Sequence, residues 1–513
     1  MLRTVRDYAE SRLAATPEAE SAARDAHARH YTAVAQELRS DLNGPQREKA
    51  LADLEAESGN LRSAWRHWVE TRDLENLYLL LDGLWALLDA KGWYHTAIEL
   101  ARDLLGLLAT EEPSAEVAAE ELTLRTSLAR ALMAVYGYGV EVEQEFQRTV
   151  TAMAETQSSP AQRFPVLRAL ASYYMNITEF EKSAEMGRRL LDLAAEEDDP
   201  TIEIEGLFIT GASVAFMGDL QTGLSLLDRA IELFDPKMHG SGRYRLGTSP
   251  GVTTRVASAL LRWQQGDLEL SKTHINQALD LARDLGHPFS LAYALYHSGF
   301  AAFARYDFDA ARECALDLAV VAQQDDYRVW LALANVLEGV AMVGLGQAAE
   351  GLEKTETGVD LYQGLTTPPV FWPLILGLRA FAFAANGKHD RALGLIDEAI
   401  ALTEGGDRKA NASPDFHVHR GDILGLFPEP DHVAIEEAYR TAMTMAREGG
   451  LRLLELQAAT RLVILLRSLG RATDASDELA AVYSTFPEGV QELDLIRAGQ
   501  VLAAPPAGGR DET

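Results

Sequence analysis

Apolar residues along this chain recur at spacings of three and four, and strict alternation is nearly absent. The pattern predicts a succession of amphipathic helices. Short polar turns separate them, such as Met217-Gly-Asp219, Gln265-Gly-Asp267, Leu345-Gly-Gln347, Asn386-Gly-Lys388 and Leu469-Gly-Arg471. The turn residues Thr178, Gly218, Gly266, Tyr306, Gly346 and Gly387 follow one another at intervals of 40, 48, 40, 40 and 41 residues, which marks an internal repeat.

The repeat also has fixed content. A small residue stands seven positions before each turn residue (Ala171, Gly211, Ala259, Gly299, Gly339, Ala380) and another five after it (Ser183, Gly223, Ser271, Ala311, Gly351, Ala392). Antiparallel helices approach to about 8 Å only where small side chains face each other, so each repeat is expected to be a helix hairpin crossing at these two positions. This is the small-residue logic of tetratricopeptide (TPR) hairpins, here with a repeat near 40 residues. The expected fold is all-α: a TPR-like α-solenoid, a right-handed superhelix of antiparallel helix pairs with a concave groove.

Weaker members extend the pattern. Gly92-Trp-Tyr-His-Thr-Ala97 opens an earlier hairpin, and Gly470-Arg-Ala-Thr-Asp-Ala475 opens a last one whose helix is expected to close at Phe486-Pro487. About nine or ten helix pairs are expected over residues 74–500. Residues 1–73 read as helical but off-register, a separate connector or cap, and residues 501–513 as a disordered tail, being small, polar and breaker-rich.

Composition narrows the functional classes. With 77 acidic against 47 basic side chains, the formal net charge of -30 repels phosphate backbones and anionic lipid, so neither nucleic acid nor a membrane surface is an expected direct partner. Asp82 interrupts the apolar run from Leu77 to Leu88, which is short of the roughly 20 residues a membrane helix needs. The stretch Met1 to Tyr8 is charged and lacks the apolar centre of a signal peptide. Cys314 is the one cysteine, so no internal disulfide or cysteine-based zinc site is expected, and a reducing, cytoplasmic setting fits.

Gly242-Arg-Tyr-Arg-Leu-Gly247-Thr-Ser249 is one residue short of a phosphate-binding loop, because Thr248 stands where the lysine belongs. A working loop of that kind follows an apolar strand. Here Ile231-Glu-Leu-Phe234 continues a helix that Asp235-Pro236 ends, and Ser249-Pro250 reads as the N-cap and first turn of the next. Nucleotide hydrolysis is therefore not expected. The loop still produces the single 48-residue interval, and Arg243, Tyr244 and Arg245 beside helix N-terminal amides are candidates for holding an anion or a partner. The plain alternative is a solvated loop.

A second candidate is the stripe Tyr293, Tyr296, Phe300 and Phe303, whose spacings of 3, 4 and 3 place four rings on one helix face. It reads either as a peptide-binding wall or as packing between repeats, and Leu333, Val336, Val340 and Val343 continue it one repeat on. His417 and His419 point to different helix faces, and His27 and His30 have no other ligand near them in sequence, so no metal site and no cofactor is predicted. No Ser-His-Asp set, HExxH or nucleophile elbow is visible, and no catalytic residue is assigned.

An ordered set of stretches resembles a known family. "MLRTVRDYAESRL" (1–13), "ARHYTAVAQEL" (28–38) and "LEAESGNLRSAWRHWVETRD" (54–73) look like the segment that follows the ATPase module of bacterial STAND-type signalling ATPases. "LGTSPGV" (246–252), "ARDLGHPFSLAYAL" (282–295), "DFHVHRGDIL" (415–424) and "LRLLELQAATRLVILLRSLGRATDASDELAAVYSTFPEG" (451–489) look like their C-terminal TPR region, which occurs in adenylate/guanylate cyclase–ATPase–TPR proteins and in LuxR-like and SARP-like regulators. The family's Walker A loop, cyclase and DNA-binding modules have no counterpart in this sequence. The resemblance implies the sensory and scaffolding end of such a system, with Met1 expected to be an internal methionine of a longer frame or the start of a split gene.

The expected function is a non-catalytic TPR scaffold or sensor that binds a protein, peptide or effector in its concave groove. An ATPase, cyclase or regulator encoded nearby is the implied partner, and oligomerisation is compatible. The alternatives are a small-molecule sensor with a pocket near residues 243–303 and an enzyme with a site assembled across repeats, which differ in pocket closure and in ionisable groups.

Overall fold

The computed structural model describes residues 16–39, 41–43, 46–91, 93–136, 140–155, 159–236, 248–363, 372–404, 414–471 and 473–504. Among these, 24 α-helices follow one another and no strand occurs. The chain divides into two units, one of Met1–Ala134, Gln144–Val166 and Asp235–Gly247, the other of Val135–Glu143, Leu167–Phe234 and Thr248–Thr513.

The first unit is built on α1 (Pro17–Arg39), α2 (Arg47–Ala56), α3 (Ser58–Thr71), α4 (Leu74–Lys91) and α5 (Tyr94–Leu108), followed by α6 (Ala115–Tyr136) and α7 (Val140–Glu155). α1 packs against both α3 and α4. Leu61, Ala64 and Trp65 of α3 and Leu77 and Leu80 of α4 are fully buried there. The buried Trp68 indole N–H donates to the Thr32 hydroxyl at 3.0 Å, which satisfies the polar edge of an otherwise apolar side chain.

The regular hairpins follow, and from Leu167 on they lie in the second unit. They are α8 (Pro160–Asn176) with α9 (Phe180–Glu197), α10 (Pro200–Phe216) with α11 (Leu220–Leu233), α12 (Pro250–Gln265) with α13 (Leu268–Leu285), and α14 (Pro288–Ala304) with α15 (Phe308–Gln324). Then come α16 (Arg328–Gly344) with α17 (Ala348–Gln363), α18 (Trp372–Ala385) with α19 (His389–Glu404), α20 (Pro414–Leu424) with α21 (His432–Glu448), and α22 (Arg452–Ser468) with α23 (Thr473–Tyr483). A single helix, α24 (Leu493–Ala503), ends the series. Among the described residues no helix is long and apolar enough to cross a membrane.

The turn periodicity has a backbone cause. All six turn residues read from the sequence adopt left-handed φ, from 63° at Tyr306 to 104° at Gly218, which reverses the chain after one helix and frees it to start the next. Two of the following helices begin on side-chain caps: Asp219 accepts from Thr222 N–H at 3.1 Å, and Asp307 from Ala310 N–H at 3.2 Å. Proline at the first position starts α10, α12 and α14.

The small-residue pairs sit at the helix crossings, as expected. A methyl group on Gly211 would stand 2.9 Å from the Gly223 carbonyl oxygen, and one on Gly339 would stand 2.6 Å from that of Gly351. Where serine replaces glycine, its hydroxyl uses the proximity: Ser183 donates to the Ala171 carbonyl at 3.0 Å and Ser271 to the Ala259 carbonyl at 2.6 Å.

The solenoid also meets itself. The first helices α12, α14, α16, α18, α20 and α22 each pack on the next, and α22 packs on α12 as well. Leu268 and Trp263 from the earlier turn join Leu453, Leu456, Phe486 and Leu495 from the later one in one apolar cluster. The last hairpin differs from expectation here: α23 ends at Tyr483, and Phe486 leaves the helix to press its ring onto Gly266.

Candidate functional site

The aromatic stripe lies on α14, which is held at its start by His287 accepting from Ser290 N–H at 3.3 Å and by Pro288 at the first position. Tyr296 is buried, while Tyr293, Phe300 and Phe303 are each half-buried. Trp330 of α16 meets Tyr293 and Tyr296 at centroid distances of 6.2 and 5.9 Å. Phe303 reaches Phe381 of α18 edge-on at 5.4 Å, skipping a repeat. The stripe is therefore partly engaged by later first helices and partly open at Tyr293, Phe300 and Phe303.

His297 belongs to the same cluster, and its role was not read from the sequence. It is 7% exposed, its ring lies 4.1 Å from that of Tyr293, and its Nδ1–H donates to the Tyr293 carbonyl at 2.8 Å. Burial pushes its pKa down to about 4, against the backbone hydrogen bond that favours the charged form, so the imidazole is neutral at physiological pH. Burial also pushes the Tyr293 and Tyr296 phenols well above the usual range. The cluster carries no charge, and its chemistry is ring-face and apolar contact rather than proton transfer.

Arg243, Tyr244 and Arg245 lie outside the described residues. The described end of that segment places Ser249 before Pro250 at the start of α12, as expected. The Ser249 N–H donates to the Ser290 hydroxyl of the next repeat at 3.0 Å, while its own side chain makes no cap bond.

Polar groups meet across helices elsewhere. Arg168 of α8 and Glu205 of α10 form a salt bridge with side chains 4% and 0% exposed, and the guanidinium lies 5.8 Å from the Phe208 ring. Ser258 of α12 touches His274 Nδ1 of α13 at 3.0 Å. Arg262 donates to the Ser258 hydroxyl at 3.3 Å and to Asp228 at 2.7 and 2.5 Å. The Ser258–His274 pair has a hydrolase-like composition, yet Ser258 is wholly buried and the neighbouring arginine points at its oxygen. That geometry ties two helices together and leaves the hydroxyl closed to a substrate.

No group of His, Cys, Asp and Glu among the described residues is arranged to hold a metal. His417 instead pairs with Glu404 at 2.6 Å, and His27 approaches Asn60 at 3.4 Å. Burial first, then nearby carboxylates, pushes the Cys314 thiol up to about 11, which leaves it protonated and unreactive.

No family model matches the chain. No curated protein matches it either. Among solved structures it is similar to a Rap protein complexed with competence and sporulation factor, at 12% identity and a TM-score of 0.49, over 76% of this chain and 97% of that one. It is similar to a tetratricopeptide repeat protein from Parabacteroides merdae at 16% identity and a TM-score of 0.33, over 58% and 99%. It is also similar to a human IFIT1 dimer with m7Gppp-AAAA, at 14% identity and a TM-score of 0.40, over 78% and 88%. By its own hairpins, turns and crossings, the chain is an α-solenoid of TPR type.

Proposed function

We propose that this chain is a non-catalytic binding and regulatory module of a bacterial signalling or transcription-regulatory system, acting in the cytoplasm and taking a protein or peptide segment along its first-helix face. The observation that carries the reading is the half-open row of rings at Tyr293, Phe300 and Phe303, flanked by Trp330 and Phe381. Rigid aromatics offer large contact area at little entropic cost. An ATPase, cyclase or DNA-binding output, on a preceding portion of a longer chain or on a partner, completes the system, with residues 1–73 as the connector towards it. The surplus of acidic side chains on this chain disfavours nucleic acid as its ligand.

The test is selection of a displayed random-peptide library on the wild-type chain and on Phe300→Ala with Phe303→Ala. Peptides rich in apolar residues are expected to be enriched on the wild type and to lose at least tenfold in affinity on the variant, about 1.4 kcal/mol. Peptides that bind both alike would place the site elsewhere.

A small effector is the second reading, favoured by Arg255. This half-buried guanidinium stacks 5.4 Å from the Phe234 ring and donates to the Gly251 carbonyl of its own helix at 2.9 Å. Burial alone lowers its pKa, and among the described residues no carboxylate pairs with it. Thermal stabilisation of the wild type but not of Arg255→Met by small carboxylates or phosphates would favour this reading.

A further inference from the structure

In a solenoid each repeat normally contacts only its neighbours. Here residues far apart in sequence close one superhelical turn upon the next, and the contact is polar at its rim. Arg452 at the start of α22 donates to the Gln265 carbonyl at 2.8 Å and to the Thr485 carbonyl at 3.0 Å, with its guanidinium 5.5 Å from the Phe486 ring. Arg305, after α14, donates to the Ser271 hydroxyl at 2.6 Å and faces Glu492 at 3.8 Å. The Tyr306 side chain stands beside Arg461 and the buried Asp494, and burial with the Asp494 charge pushes its phenol pKa up. Gln457 donates to the same buried Asp494 at 2.7 Å, and Arg461 donates to Asp422 at 2.9 Å.

Two turn positions are shaped for this contact. At Gly266 a methyl group would stand 2.5 Å from the Phe486 ring, so the turn must be bare for the ring to seat. Tyr306 occupies the equivalent turn one repeat later with φ 63°, where four of the other five turns of the array use glycine. A tyrosine is disfavoured in that left-handed conformation. Its side chain is what reaches α22 and α24, and that contact accounts for its presence at a strained position.

We propose that this closure is a latch: α22 to α24 release from the edge formed by α12 to α15 as a unit, while every hairpin stays folded. The chemistry suits reversibility. Hairpin crossings are dry and backbone-close, so separating them costs apolar burial and packing. The latch rim is made of charged and hydroxyl groups that water can rehydrate when they part, with the Trp263 and Phe486 rings and a few aliphatic side chains beneath. Opening also loosens the turn of solenoid that carries the α14 stripe, a consequence for binding that rests on the role proposed above; the latch itself does not.

Tyr306→Gly is the decisive variant, because glycine suits the turn and the hairpin keeps its geometry while the link to α22 and α24 is lost. Glu492→Gln, which weakens the Arg305 contact without touching a turn, is the second. Hydrogen exchange is followed across the chain, with small-angle scattering alongside. Exchange in α24 and in the α12–α13 turn is expected to rise about tenfold in Tyr306→Gly, the effect of removing a large side chain from between the two turns. It should rise less in Glu492→Gln, α16 to α19 should be unchanged, and the radius of gyration should increase. Unchanged exchange in α24 in both variants, or a rise spread equally over α16 to α19, overturns the latch. If the latch opens but the peptides selected on the wild type bind as before, the latch stands and the link to the α14 face falls.

Discussion

Acidification should loosen α14 through His297, and the size of the effect follows from its burial. The imidazole is 7% exposed and has its pKa pushed down to about 4, whereas in an unfolded or open chain it returns to about 6.5. Above both values the ring is neutral in either state and contributes no pH dependence. As pH falls through 6.5 the open form gains a proton that the closed form refuses, so stability is lost progressively until about pH 4. Between pH 7.5 and 5.5 the linkage amounts to about 1.3 kcal/mol, close to a tenfold loss of protection. The lower limit of pH 5.5 keeps the protein above its isoelectric point near 4.8, where aggregation would obscure the result.

A repeat array need not unfold in one step, so the assay is hydrogen exchange within α14, corrected for intrinsic rates at the two pH values. Wild type should lose about tenfold more protection than His297→Gln, which keeps a polar side chain of similar size but has nothing to titrate. His274 in α13, also lowered by burial and by the nearby Arg262, supplies the internal control: the pH dependence of α13 should survive in the variant. Equal pH dependence of α14 in wild type and variant would refute the assignment of a buried neutral imidazole.

Three further outcomes are expected. Gly339→Ala places a methyl group 2.5 Å from the Thr355 backbone nitrogen and 2.6 Å from the Gly351 carbonyl oxygen, so it should destabilise α16 and α17 by about 1–3 kcal/mol in urea titration; a loss below a few tenths would mean the crossing is loose. Glu205→Ala strands the buried Arg168 charge and should cost about 3–5 kcal/mol, whereas Arg168→Met with Glu205→Leu should restore most of that stability; equal damage from both variants would contradict the charge argument. Thr178→Gly should stabilise the α8–α9 hairpin, by about 0.5–1 kcal/mol in thermal melts, because threonine there holds φ 64°; a lower melting temperature would show that the Thr178 side chain has a compensating role.

What was legible in the sequence was what the backbone decides locally. A left-handed turn residue with small residues seven before and five after it occupies 13 positions within one hairpin. Neither the turn nor the crossing needs knowledge of any other repeat, as the Ser183–Ala171 and Gly339–Gly351 contacts show. The stripe from Tyr293 to Phe303 was legible as one face of one helix for the same reason. Its surroundings were not, because whether Phe303 meets Phe381 depends on the angle accumulated over two repeats. A few degrees per repeat, set by packing between hairpins rather than within them, decides where α22 arrives relative to α12. The Arg452–Gln265 contact spans 187 residues and depends on that accumulated angle. Yet Tyr306 carried a local trace of it. A bulky residue in a position that elsewhere in the array favours glycine violates the local rule, and such violations persist where a distant contact compensates them. The same reasoning applies to His297, a polar ring on an otherwise apolar face whose neutral state follows from burial beside Tyr293 and Tyr296, the two rings that Trp330 of α16 meets. In a repeat protein, the positions that break the repeat are therefore where the superhelix leaves its mark on the sequence.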